Sequence, residues 1–179
     1  MLIKGNRGIV EIKDKIVIKR KNPKSTAIGR IEIEATFLKR LNKYNIGPKF
    51  ISFKNDELTM ERIKGIGFEN YIKTNDWKPI VTELFSQMYQ MDKLKINKME
   101  MHHPIKHIIV RENKPVLIDF ERCKVTQNPK NVSQFVEYLR KLRLINYTDE
   151  MKKLVQEYKK EINKEKTSNS RFKPSKNIN

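Results

Sequence analysis

The chain has 179 residues, with 39 Lys or Arg against 21 Asp or Glu, a formal net charge of +18 and a pI near 9.9. Its length fits one domain, or one small domain in two lobes, and 37% hydrophobic residues are enough for a packed core. No apolar run nears the roughly 18–20 residues that span a bilayer, no signal-peptide pattern opens the chain, and a single cysteine, Cys123, excludes an intrachain disulfide. The expected setting is the cytoplasm. The positive charge fits a solvated Lys-rich surface as well as a polyanion-binding one.

Gly5-Asn6-Arg7-Gly8 predicts a turn, followed by strands over Ile9–Ile12 and Ile16–Lys19. Past the break at Asn22-Pro23, residues Ile28, Ile31, Ala35, Leu38 and Leu41 recur at spacings of three and four, which makes one face of a helix stopped by Gly47-Pro48. Two more strands, Phe50–Phe53 and Glu57–Glu61, flank a turn at Asn55-Asp56. The order strand, strand, helix, strand, strand describes a small antiparallel sheet with one packed helix. The remainder reads as mostly helical. Val81, Leu84, Phe85, Met88 and Met91 stripe a helix from Pro79 to Lys95, and a hairpin follows between Ile108 and Asp119. Asn131 with Gln134 has a capping-box pattern ahead of Val132, Phe135, Val136 and Leu139. Thr148 opens a last helix with Met151, Leu154, Val155, Tyr158 and Ile162 on its stripe. From Asn163 the pattern dissolves into a polar, Lys-rich tail.

Three separated residues carry the chemistry. Lys19 ends an apolar strand. Glu34 lies on or beside the buried stripe of its helix, where a carboxylate needs a partner such as Arg30, or else reaches water. Asp119 follows Val116-Leu117-Ile118, so it sits at the end of a buried strand, where an acid can hold a metal or a substrate. All three histidines, His102, His103 and His107, fall within Met101-His102-His103-Pro104-Ile105-Lys106-His107. Together with Cys123, His102 and His107 also allow a structural zinc site, although the usual paired-cysteine spacing is missing.

In their order and spacing these segments resemble the protein-kinase-like fold, in the style of the RIO kinases, of the small kinase of the archaeal tRNA-threonylcarbamoyl complex, and of short archaeal predicted serine/threonine kinases. The resemblance runs from about residue 3 to about residue 145. Gly5 to Val10 stands where the glycine-rich loop would be, with two glycines, Gly5 and Gly8. Ile16-Val17-Ile18-Lys19 is similar to the strand carrying the phosphate-binding lysine, and Glu34 to the helix acid that pairs with it. Leu58 to Gly65 resembles the strand and hinge that receive adenine, with backbone groups of Glu61 and Ile63, at the end of an edge strand, as its partners. Leu117-Ile118-Asp119-Phe120-Glu121 resembles the metal-binding Asp-Phe-Gly, with Glu121 in place of Gly. In the catalytic loop, His102 stands at the Asp position and His107 at the Asn position.

The resemblance implies a bilobal α+β fold, with an N-terminal lobe over 1–62, a reduced C-terminal lobe over 63–162 and a basic disordered tail over 163–179. It implies a phosphotransferase using ATP and Mg²⁺, with Gly5, Gly8, Lys19, Glu34, Glu61 and Ile63 on the nucleotide and Asp119 and His107 on the metal. His102 would take the acceptor's proton, and Lys106 would offset charge on the transferred group. The acceptor is a protein or a small molecule. The basic tail offers contact with RNA or the ribosome. A pseudokinase-like partner module and an RNA-binding protein are the alternative readings.

Overall fold

The computed structural model describes residues 1–5, 8–23 and 29–164. Asn6 and Arg7 of the expected glycine turn, Ile28 of the helix stripe and the tail beyond Lys164 lie outside them.

Backbone pairing builds a five-stranded antiparallel sheet from β1 (Leu2–Lys4), β2 (Gly8–Ile12), β3 (Ile16–Lys21), β4 (Phe50–Lys54) and β5 (Glu57–Glu61), in which β5 alternates buried with half-buried residues. The strand order is β1-β2-β3-β5-β4. Two sequence expectations change here. β1 adds a strand that the pattern did not announce, because its side chains are exposed and only backbone pairing such as Leu2 with Glu11 holds it. β5 is an interior strand rather than an edge, since β3 and β4 pair with its two sides.

Between β3 and β4, helix α1 (Arg30–Leu41) buries Ile31, Ala35, Leu38 and Leu41 as its spacing predicts, and buries Glu34 among them. The helix ends at Leu41, well short of Gly47-Pro48, through a 3-10 turn at Asn42–Tyr44 and a left-handed Asn45. Gly47 has a different task. At φ +86 it lets the chain pass so close to Phe120 that an added Cβ would lie 2.8 Å from that ring.

The rest of the chain holds β6 (Ile66–Gly67), α2 (Phe68–Tyr71), α3 (Lys78–Lys93), β7 (Ile96–Lys98), β8 (Ile108–Arg111), β9 (Lys114–Leu117), β10 (Cys123–Val125), α4 (Asn131–Lys141) and α5 (Asp149–Lys164). It is less purely helical than expected, because β6-β8-β9 and β10-β7 form two small antiparallel sheets. The β8–β9 hairpin falls where the sequence places it, with Glu112 and Asn113 at positive φ in its turn. Met88 and Met91 of α3 and Phe135 and Leu139 of α4 share one buried core with Leu38, Leu41 and Phe120. Leu154 departs from its expected stripe: it is exposed, while Val155 and Ile162 carry the burial of α5.

The capping box at Asn131 does not form. Asn131 is buried, and its side chain bonds Asp92 and the Ile96 carbonyl instead. The start of α4 is capped from another helix: the Asp92 carboxylate accepts the Asn131 and Val132 amides at 3.1 and 3.2 Å. A cap supplied across space leaves no local sequence mark. Thr148 does cap α5 as expected, accepting the Met151 amide at 3.2 Å.

Candidate active site

Lys19 points from β3 toward α1, and both Glu34 oxygens accept its ammonium at 2.8 Å. The same ammonium reaches Asp119 Oδ1 at 3.4 Å, so one cation joins the sheet, the helix and the loop after β9. Burial raises the Glu34 carboxyl against the pull of Lys19. Burial alone would lower Lys19, but Glu34 and then Asp119 more than reverse this, and the lysine stays protonated. Burial pushes Asp119 up, yet Lys19, Lys98 and His107 bring it below the usual carboxylate range.

Asp119 has φ +63, a left-handed conformation that costs a non-glycine residue about 1–2 kcal/mol. Its neighbours hold it there. The Ile118 amide bonds the His107 carbonyl at 2.9 Å, and the Phe120 amide bonds Glu34 Oε1 at 3.3 Å. The Asp119 carbonyl accepts from Lys98 Nζ. Lys98 is almost wholly buried, with its ammonium 5.2 Å from the centre of the Phe120 ring and its own amide on Asn131 Oδ1. Burial lowers its pKa. Sequence reasoning missed Lys98, because in a Lys-rich chain nothing local separates a buried lysine from a solvated one.

An apolar cavity of about 310 Å³ opens beside Lys19 and Asp119, walled by Val10, Val17, Met60, Ile109 and Ile118, with Glu61 and Ile63 also on its lining. The Glu61 amide is taken by the Lys49 carbonyl, and its carboxylate holds Arg111 at 2.5 Å. Among the described residues the Ile63 amide donates no hydrogen bond. A second hollow, lined by Gly5, Gly8, Lys19 and Asp119, continues from it. The Gly5 amide donates to the Gly8 carbonyl at 2.9 Å, and a Cβ on Gly8 would press the Arg20 carbonyl at 3.1 Å.

The histidines separate. His107 is three-quarters or more buried, with Nδ1 3.8 Å from Asp119 Oδ2 and Nε2 3.5 Å from Glu100 Oε2. Burial, then the Lys98 charge, lowers its pKa, so it is neutral near pH 7. His102 and Lys106 are exposed and line a neighbouring cavity of about 450 Å³ together with Glu100, His103, His107 and Arg122. Cys123 is buried, and burial pushes its thiol up to about 12. No group of three or more His, Cys, Asp or Glu among the described residues is arranged to hold a metal, which removes the zinc reading of His102, His107 and Cys123. No helix among the described residues is long and apolar enough to cross a membrane.

The sequence matches no family model and no curated protein. Solved structures do match. The chain is similar to the Rio2 kinase–ADP/Mg²⁺–phosphoaspartate complex from Chaetomium thermophilum, at TM-score 0.65 and 14% identity, over 92% of this chain and 61% of that one. It is also similar to a complex of WbdD with the kinase inhibitor LY294002, at TM-score 0.62 and 15% identity, over 90% of this chain and 41% of that one. The chain thus has a protein-kinase-like fold, and it spans less than two thirds of the length of these structures.

Proposed function

We propose that the protein is a cytoplasmic, ATP-dependent phosphotransferase of the atypical serine/threonine-kinase type, with a substituted catalytic loop and two lobes that meet at the apolar cavity. The observation that carries this reading is the Lys19–Glu34–Asp119 triad at the end of that cavity. A lysine ammonium can grip two phosphates only if it is fixed, and Glu34 fixes it. Val10, Val17, Met60 and Ile118 suit the faces of a purine, and the free Ile63 amide offers a donor to its edge. Gly5 and Gly8 let backbone approach the phosphates. Asp119, an ionised carboxylate, fits Mg²⁺, and the buried, unpartnered Nδ1 of His107 beside it would serve as acceptor to a water on the metal rather than as a direct ligand. Bound there, Mg²⁺ would offset the charge of the phosphate oxygens. Most phosphoryl-transfer catalysis is positioning and charge stabilisation, so histidines in the catalytic loop are compatible with turnover.

The test is thermal melting with Mg-ATP. A ligand at a hundredfold excess over Kd adds about 2.7 kcal/mol to stability. A clear rise in Tm that Asp119→Asn reduces supports the reading. No rise with millimolar ATP or GTP rejects it. Binding without any phosphate transfer or hydrolysis leaves a pseudokinase-like module.

A further inference from the structure

Resting on the phosphotransferase reading, we propose that the cavity beside the histidine loop is the acceptor site, that it takes a small alcohol bearing an anionic group, and that Glu100 receives the proton of the reacting hydroxyl.

Glu100 carries the argument. Arg122 Nη1 fixes its Oε1 at 3.0 Å, while its Oε2 is buried without a hydrogen-bond partner. That oxygen lies 3.5 Å from His107 Nε2, and the other nitrogen of the same ring lies 3.8 Å from Asp119. One imidazole therefore separates an unsatisfied, oriented carboxylate from the residue that would hold the nucleotide's metal. His102 stands on the same cavity but is exposed, and among the described residues no hydrogen bond or ion pair fixes its ring. A general base has to be held at its substrate, and Glu100 is the better held of the two.

The walls define the ligand. Among the described residues Glu100 is the single acid of the lining, against Lys106, Arg122 and three histidines. Lys and Arg heads at a rim select an anion, and a carboxylate at depth selects a hydroxyl donor. A volume of about 450 Å³ is that of a small-molecule site. Among the described residues the chain after Asp119 folds straight back as β10 against β7 before α4 begins, which leaves no long segment there to receive a peptide. In the step itself the hydroxyl oxygen bonds the γ-phosphorus, the bond from that phosphorus to the β,γ-bridging oxygen breaks, ADP leaves with the electron pair, and the hydroxyl proton passes to Glu100.

The experiment follows ADP release from Mg-ATP by the full chain with glycerol 3-phosphate, glycerol or inorganic phosphate as probe. Glycerol 3-phosphate should raise the rate at least ~10-fold above either of the others, and Lys106→Gln/Arg122→Gln should raise its KM while leaving the KM for ATP unchanged. Glu100→Gln should lower kcat by ~10²–10⁴ with both KM values held, and Glu100→Asp should restore part of it. The melting temperature of each variant verifies folding. Equal rates with all three probes, an unaltered KM in the double variant, or full kcat in Glu100→Gln with loss in His102→Ala would each overturn the proposal. If the wild type retains its Mg-ATP melting shift in those cases, the nucleotide reading survives alone.

Discussion

Glu34 has no exposed surface, and its charge is answered by Lys19. The two halves of this pair are not equivalent. Lys19→Met leaves a buried carboxylate unpaired, which costs about 3–5 kcal/mol. Glu34→Gln leaves Lys19 with Asp119, so the fold should suffer less while phosphate positioning suffers more. Adding Glu34→Gln to Lys19→Met should therefore regain stability, a non-additivity that a denaturant double-mutant cycle measures. Strictly additive losses would show that Glu34 is not ionised in the fold. Lys98 gives the converse case. No carboxylate forms an ion pair with it among the described residues, and burial disfavours its charge. Lys98→Met should thus melt no lower than the wild type, yet lose turnover, because the Asp119 carbonyl loses the donor that holds its left-handed turn. A variant that melts lower but turns over normally would make Lys98 a packing residue.

At the scale of elements, periodicity exposed what periodicity governs. The stripe of α1, the methionines of α3 and the β8–β9 hairpin were legible because burial repeats with the period of the element. The Lys19, Glu34 and Asp119 positions were legible for the same reason, each being a charge set against an apolar run. What stayed hidden depends on long-range pairing. β1 is held by backbone bonds alone, β10 and β7 meet across the chain, and Lys98 and Glu100 differ from solvated residues only in their three-dimensional surroundings. The Asp92 cap of α4 belongs to this group, and it can be tested. Asp92→Ala removes the acceptor of the Asn131 and Val132 amides, of the Asn131 side chain and of the Tyr158 hydroxyl. Loss of a cap and of buried hydrogen bonds should cost at least about 2 kcal/mol. For a chain of this size that lowers Tm by about 4–8 °C. A change below one degree would mean that water replaces the carboxylate.

For the whole molecule, hydrogen bonds run without a break from the last helix to the apolar cavity beside Lys19. Tyr158 in α5 donates to Asp92 at 2.7 Å, Asn131 bonds the same carboxylate at 2.7 Å, and the Lys98 amide bonds Asn131 at 2.8 Å. Lys98 then holds the Asp119 carbonyl, and Asp119 meets Lys19 in the first sheet. A nucleotide gripped by Lys19 and Asp119 should tighten both ends of this line, because local opening is suppressed wherever a ligand binds only the closed form. The prediction concerns amide hydrogen exchange with and without Mg-ATP. Protection should rise at Lys19 and at Phe120, and it should extend to the Lys98 and Asn131 amides, which bond the Asn131 and Asp92 side chains. In Lys98→Met the gain at Lys19 should persist while the gain at Asn131 disappears. Protection confined to the first sheet in the wild type would show that Asp119 takes no part in binding. Equal protection at Asn131 in wild type and variant would show that tightening reaches α4 by another route than Lys98.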